Sequence, residues 1–485
     1  MQKSNLCSIV RVLVLALAFG LSPSCSPVSA RGSVGSVPAS RLAQHKFPKL
    51  ANQFQHGDKR DAFQTALDQL YLWDLVVVND TAVDGMPEYL GSEGAWRRKN
   101  PNLVILAYHS AGDVLPDDKS RIGRDFIDGM KDDWFMKDAS GSKVKFFQLS
   151  ANPDRWTLMQ NPATGLQRYM PEYLNRAVLE TQLVDGMFYD WASTSLAGIF
   201  YDAATSTFRL PDIHRNGGFD SRGSPHLLTP ATFDAAWEAG YAAMLQHSRD
   251  TFPSWALVMG NVGWNGGTSY APKLNGVLIE KFMEGAKGNV RNFGWSAIMR
   301  TVSAYVRSAS GPETTFIMAN GEPTELALMR FGFTSALMFD AYSCFTNTQT
   351  LANDQLPYQS AFWFDEYAVD LSTGTAVQEA AHKGYLGLPV SDPYFAGAGS
   401  APADRTRLLA AALAALDETG DKSVWRRDFE HGAALVNPTS ASVTVPLGGT
   451  YRKIRGAFSS DGVNDGSINL TSVSVPAQSG LVLLR

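Results

Sequence analysis

Short apolar runs that alternate with helical patterns constrain the fold of this chain more than any other feature. The runs are DLVVVND (74–80), NLVILAYHS (102–110), WTLMQNP (156–162), DGMFYDW (185–191), WALVMGN (255–261), NGVLIEKF (275–282), TTFIMAN (314–320) and SALMFDAY (335–342). Each is nearly unbroken, β-branched or aromatic in part, and closed by polar or acidic residues. Runs of this kind suit strands buried on both faces, as parallel strands are. Helical patterns separate most of them: AFQTALDQLYL, GLQRYMPEYLNRAVLETQL, TPATFDAAWEAGYAAMLQHSRDTF and NVRNFGWSAIMRTVSAYVRSAS. In the third, Thr229 is placed to cap the helix and Pro230 to open its first turn. Alternating strand and helix implies right-handed crossovers and a parallel sheet. Eight such strands predict an α/β chain built on a (β/α)8 barrel. A doubly wound open sheet is the alternative, but no Gly-rich phosphate loop opens a helix to suggest a nucleotide site.

Two stretches break the rhythm. WFMKDASGSKVKFFQLS (134–150) has two extended arms around Ser140-Gly141-Ser142 and reads as a β-hairpin inserted after the second strand. From residue 421 on, RDFEHGAALVNP, SASVTVPLGG, TYRKIRGAFS and SVSVPAQSGLVLLR are short alternating segments with Gly, Pro and Asn turns. They predict a small all-β domain, a β-sandwich that caps the barrel. ADRTRLLAAALAAL (403–416) reads as the helix joining the two parts.

The first residues are of another kind. Lys3 and Arg11 flank the start of the apolar run IVRVLVLALAFGL (9–21), and small residues follow to Pro27-Val28-Ser29-Ala30. This is the pattern of a secretory signal peptide cut near Ala30. The run is short for the roughly 20 residues of a spanning helix. Cys25 raises a lipoprotein reading, although Ser22-Pro23-Ser24 matches a lipidation site poorly. Cys7 and Cys25 would leave with the signal, so Cys344 alone would remain and no intrachain disulfide could form. The segments are thus a signal peptide over 1–30, a leader over 31–59, a barrel over 60–420 and a β-domain over 421–485. A secreted or periplasmic monomer is the expectation. A net charge of -5 from 42 basic and 47 acidic side chains gives no field favouring nucleic acid or an anionic membrane.

In a parallel barrel the C-terminal strand ends converge on one mouth, where known active sites lie. The residues closing the runs are Asn79 and Asp80, Tyr108 and His109, Gln160 and Asn161, Asp190, Asn261, Glu280, Asn320 and Glu322, and Asp340 and Tyr342. This rim is rich in carboxylates and amides, which can hold sugar hydroxyls. It also offers the two acids that glycoside cleavage needs. Asp190 and Glu280 are the first candidates for that pair, with Asp340 in reserve. Glu280 is expected to be the protonated member, raised by burial and by the charge of Asp190. Asp185 differs from Asp190 in parity and lies at the other end of its strand, which points to a structural role at the barrel bottom. His109, Asn261, Asn320, Asp340, Tyr342 and Trp191 are candidates for substrate contacts. Trp191, Trp264 and Trp363 could floor a sugar site, or simply pack. The histidines show no HxH or HExxH spacing, so no metal or other cofactor is expected. Cys344 carries no nucleophile signature, and no GxSxG elbow supports an esterase.

These residues carry a resemblance. VDGMFYDW, NGVLIEKF, the WFMKD hairpin and the terminal LVNPT…GLVLL β-domain resemble bacterial (β/α)8 glycoside hydrolases of the hypothetical glycosyl hydrolase group numbered 15. That group is similar to endo-α-1,4-polygalactosaminidase and α-galactosidase-like barrels. The resemblance covers roughly residues 60 to 485 and implies a carbohydrate substrate. In α-galactosidase-like barrels the nucleophile closes strand four and the acid/base closes strand six. By position this implies Asp190 as nucleophile and Glu280 as acid/base, although the family acid/base is usually an aspartate. The alternative is a non-catalytic carbohydrate-binding barrel, tied to polysaccharide export or processing, whose rim only grips sugar.

Overall fold

A computed structural model describes residues 37–55, 64–148, 156–218, 227–263, 268–284, 288–347, 360–396 and 420–485. The expected signal peptide, Cys7, Cys25, Trp264 and the joining helix over 403–416 lie outside the described residues. The apolar runs form eight parallel strands: β1 Ala51–Phe54, β2 Leu75–Asn79, β3 Val104–Ser110, β4 Gly186–Asp190, β5 Leu257–Gly263, β6 Gly276–Ile279, β7 Phe316–Asn320 and β8 Tyr342–Thr346. Neighbours pair in sequence order. The parallel bridge Leu50↔Ser343 and the bond from Ser343 N–H to the Lys49 carbonyl at 2.9 Å close the ring between β8 and β1.

Side chains alternate in and out along each strand. Leu75, Val77, Val104, Leu106, Phe188, Leu257, Met259, Leu278, Phe316, Met318, Tyr342 and Cys344 form one buried cluster that fills the barrel. Their outward neighbours, such as Val76, Val78, Ile105, Met187, Val258 and Ile317, join a second cluster under the helices. Both faces are therefore dry, which is why the strands read as unbroken apolar runs.

The helices are α1 Leu166–Ala177, α2 Pro230–Thr251, α3 Trp295–Ser308 and α4 Leu326–Met338. Thr229 caps α2 as expected, in a reciprocal box with Thr232, and Pro230 follows it. The run NVRNFGWSAIMR is broken at Gly294, whose φ of +86° ends a short helix, Asn289–Phe293, before α3 begins.

Two of the eight expected strands are corrected. WTLMQNP is not a barrel strand. Its Trp156–Met159 segment pairs antiparallel with Asp113–Val114 and Lys145–Gln148 in a small side sheet beyond the end of β3. Its burial alternates residue by residue, as fits a half-covered sheet. The expected hairpin is the other arm of this structure. Lys137 and Lys143 bridge around a turn in which Gly141 N–H meets the Asp138 carbonyl at 2.9 Å. It follows the third barrel strand rather than the second, and residues 149–155 lie outside the description.

SALMFDAY is helical in its first half. It is the end of α4, which is buried at every position from Met329 to Met338. This helix packs on β7 and β8 on one side and on the C-terminal sheet on the other. A helix covered all round shows no amphipathic period, so its apolar run cannot be told from a buried strand. The true eighth strand begins where the run ends. Conversely, ANQF, the short first strand, lies inside the stretch read as leader. The two miscounts cancel, so Asp190 still closes strand four and Glu280 still follows strand six.

Beyond the barrel, β9 Trp425–Phe429, β10 Gly432–Asn437, β11 Val443–Lys453, β12 Leu470–Val475 and β13 Ser479–Leu484 form an antiparallel sheet. With the short strand Tyr394–Phe395 its order is 394–395, β9, β10, β13, β11, β12. It is one six-stranded sheet rather than the two facing sheets of a sandwich, with its own apolar cluster around Leu435, Val445 and Leu483. Its other face meets α4. A buried ion cluster ties the parts together: Arg330 of α4 bonds Glu366 and Asp461. Among the described residues no helix is long and apolar enough to cross a membrane.

Candidate active site

The mouth of the barrel is set by parity. Continuing the inward row of each strand past the apolar cluster reaches Tyr108 on β3, Asp190 on β4, Asn261 on β5, Glu280 after β6 and Asn320 on β7. The Tyr108 hydroxyl donates to Asp190 Oδ2 at 2.7 Å. The Trp191 backbone N–H donates to Asp190 Oδ1 at 2.8 Å. The Asn261 side-chain nitrogen donates to Asp190 Oδ1 and to Glu280 Oε2, each at 2.9 Å. Those two carboxylate oxygens therefore lie no farther apart than twice that distance. From α2, the Tyr241 hydroxyl holds the Asp190 carbonyl at 2.7 Å and fixes the strand end.

The electrostatics follow from this crowding. Burial first, then the charge of Glu280, pushes the Asp190 carboxyl up to about 7, and the bonds from Tyr108 and Trp191 pull it back only in part. Asp190 is raised because the protein packs closely around it and, among the described residues, no cation pairs with it. Burial, and next the negative charge of Asp190, raises the Tyr108 phenol well above its usual range, so it remains a donor.

Each acid is followed by a residue in the left-handed region. Trp191 has φ +64° and Lys281 has φ +49°. Side chains rarely adopt this conformation, and it gathers where a site over-determines the backbone. Trp191 is held further by its indole N–H, which donates to Asp113 Oδ1 at 2.9 Å. Its ring lies against Gly112, where an added Cβ would come within 2.4 Å of the indole. Phe146 of the side sheet meets it edge to face at 5.2 Å. The side sheet therefore walls one flank of the mouth.

Asn320 also points into the mouth. Its backbone N–H bonds the Met283 carbonyl at 2.8 Å, and its side-chain Oδ1 is buried without a hydrogen-bond partner. A substrate hydroxyl is the kind of donor that atom needs.

Three of the expected substrate contacts lie elsewhere. His109 sits one residue past Tyr108 and so faces outward. Its Nδ1 pairs with Asp80 Oδ2 at 2.7 Å, and its ring packs edge to face on Phe126 at 4.9 Å. Tyr342 opens β8 and fills the barrel bottom, where its hydroxyl bonds His45 Nδ1 at 2.8 Å. Asp340 precedes it at the same end and pairs with Arg427 at 2.8 Å. In the sequence the apolar run of α4 looks like a strand, which makes the start of β8 look like a strand end. Trp363 packs on Trp73 and bonds the Val377 carbonyl, so it is a partly buried residue packed against the core. Cys344 is buried inside the ring.

Tyr108, Asp113 and Tyr241 were missed. Tyr108 was legible, since it shares parity with Val104 and Leu106. Asp113 and Tyr241 reach the site through a side sheet and a helix, and no local pattern marks them.

A closed (β/α)8 ring whose C-terminal mouth brings two acids together from strands four and six has the architecture of a glycoside hydrolase. The chain belongs to hypothetical glycosyl hydrolase family 15, whose model matches residues 97–433. No functionally curated protein matches it. Among solved structures it is similar to an α-amylase from Malbranchea cinnamomea at 10% identity and TM-score 0.41, covering 92% of this chain and 97% of that one. It is also similar to a GH31 family sulfoquinovosidase from E. rectale at 10% identity and TM-score 0.47, covering 92% of this chain and 62% of that one. A xylosidase from Aspergillus niger aligns at 10% identity and TM-score 0.43, over 90% of this chain and 63% of that one. Scores this low decide nothing about the chemistry of the present chain.

Proposed function

We propose that this chain is an exported, retaining glycoside hydrolase in which Asp190 is the nucleophile and Glu280 the acid/base, acting on an oligo- or polysaccharide. One observation carries the reading: a single amide nitrogen reaches both acids at 2.9 Å. That brings the nearest oxygens of the two acids within reach of one atom, a closeness that supports the short separation of retaining pairs over the wider one that admits a water. The spacing supports a two-step path through a covalent glycosyl-enzyme.

With two acids this close, the pair holds one proton near neutral pH. Asp190 receives three donated hydrogen bonds, which suit its anion. Although burial and the charge of Glu280 raise Asp190 to about 7, in the reactive form the anion is assigned to Asp190 and the shared proton to Glu280. In the first step Glu280 gives it to the glycosidic oxygen, the bond to the anomeric carbon breaks, and an Asp190 oxygen bonds that carbon. In the second step water, deprotonated by Glu280, attacks the same carbon and releases Asp190. Asn320 and Trp191 line the mouth where the sugar would sit. The sequence pattern of residues 1–30 supports export before the enzyme acts.

The test is a polysaccharide panel with product anomers followed by NMR from the first turnover. Retention of configuration is the expected outcome. An inverted first product would overturn the assignment of Asp190 as nucleophile.

A further inference from the structure

Asn261 entered as a candidate sugar contact, but its surroundings give it different work. Its amide is used up by the protein. The side-chain Oδ1 accepts the Gly263 backbone N–H at 2.9 Å. That bond is possible because β5 bulges between Asn261 and Gly263 and Gly263 turns with φ +64°. Since an amide oxygen only accepts and a carboxylate only accepts, the bond to Gly263 settles which way the amide faces. Both hydrogens of its nitrogen are then directed at Asp190 Oδ1 and Glu280 Oε2. The backbone is tied as well: the Asn261 carbonyl accepts the Ala192 N–H at 2.7 Å, linking β5 to the segment that follows Asp190.

We propose that Asn261 is a positioning residue: its nitrogen spans Asp190 and Glu280, sets their spacing and steadies their anionic charge. This rests on the reading of Asp190 and Glu280 as the catalytic pair. Two nearby carboxylates repel, and a neutral donor between them offsets that repulsion without adding a cation that would compete for the proton. It also keeps the proton off the line between the acids, because both inner oxygens already accept an N–H. The proton is thereby left for the side of Glu280 that meets a leaving group. The other groups facing Asp190 are Tyr108 and Asp113 from β3 and the segment after it, Glu280 from β6, and Tyr241 from α2. Of these only Tyr108 donates to the carboxylate. Removing Asn261 thus deletes one of its two side-chain donors.

The test uses the full chain with two variants. Asn261→Ala removes the amide, and Asn261→Asp keeps its shape but loses both donors. Without any substrate, difference infrared spectroscopy over a pH titration follows the protonated-carboxyl band that Asp190→Asn abolishes. Its midpoint should rise by about one pH unit in Asn261→Ala and by more in Asn261→Asp. On a polysaccharide that the wild-type chain cleaves, kcat should fall on the order of a hundredfold with KM little changed. An unmoved midpoint in both variants overturns the proposal, and so does a rise in KM with kcat intact, which is the signature of a sugar contact. Full activity in Asp190→Asn or Glu280→Gln would instead sink the underlying catalytic pair, so the two failures are told apart.

Discussion

Asp185 and Asp190 sit at opposite ends of one strand, and they show how a barrel separates stability from chemistry. Asp185, at the bottom, is buried between two arginines. Arg41 holds Oδ1 at 2.6 Å, Arg97 bonds Oδ2, and the Ile105 N–H adds a third bond at 2.9 Å. Its charge is met by two helix arginines and a strand N–H, which tie the start of β4 to its neighbours. Asp190, at the mouth, has no cation paired with it among the described residues. Its neighbours are a phenol, an amide and another acid. The same residue type is therefore a rivet at one end and, in the proposed mechanism, the nucleophile at the other. The difference lies in what the adjoining strands bring to each end.

The comparison breaks first at its strongest point. Asp190→Asn should lower turnover by at least roughly a thousandfold while the protein stays folded. The measurement is kcat on a cleaved polysaccharide beside a far-UV spectrum, and residual activity within tenfold of wild type would remove Asp190 from the mechanism. Asp185→Ala should do the reverse. It leaves Arg41 and Arg97 facing each other without an anion, at a cost of about 3–5 kcal/mol in urea unfolding. Activity per folded molecule should be kept.

A third outcome concerns pH. The Asp190 carboxyl lies at about 7 in the fold against an ordinary 3.8. Between those values the folded chain binds more protons than the unfolded one, so this group's contribution to stability falls as pH rises from about 4 to about 7. Asp190→Asn should then be more stable than wild type by about 2 kcal/mol at pH 8, with the gain gone by pH 4. Thermal unfolding at the two pH values measures it, and an equal effect at both would contradict a raised Asp190 carboxyl.

Smaller effects sharpen the contrast. Tyr108→Phe removes a donor from Asp190 and should cut kcat on the order of tenfold while moving the acid limb of the pH profile upward. Tyr342→Phe, at the bottom, should leave kcat and KM unchanged and cost only about 1 kcal/mol of stability, through the lost bond to His45. A change in KM there would mean that the bottom of the ring also senses substrate.

Much of this was legible in order and parity. Six of the eight apolar runs are barrel strands, and Asp190, Asn261, Glu280 and Asn320 all follow from extending an inward row to its end. His109 was chosen over Tyr108 against that same parity. Asp340 and Tyr342 failed for another reason. Helix α4 is buried between barrel strands β7 and β8 and the C-terminal sheet, so its apolar run carries no helical period. Only the tertiary packing reveals it as a helix and moves the next strand's start to the bottom of the ring. The four residues ANQF were too short and too polar to stand out, and they become a strand only because β2 and β8 leave a gap that they close.

By itself, then, the amino-acid sequence determined the parallel barrel, the acids at its strand ends and their places on the fourth and sixth strands, because burial on two faces and alternation along a strand are local consequences of side-chain type. The tertiary structure decided the rest. Whether an aspartate meets arginine or glutamate, that Asp190 is pushed up, and that one asparagine reaches both acids depend on groups brought from distant strands. Electrostatic interaction acts through space, and no spacing along the chain encodes it directly.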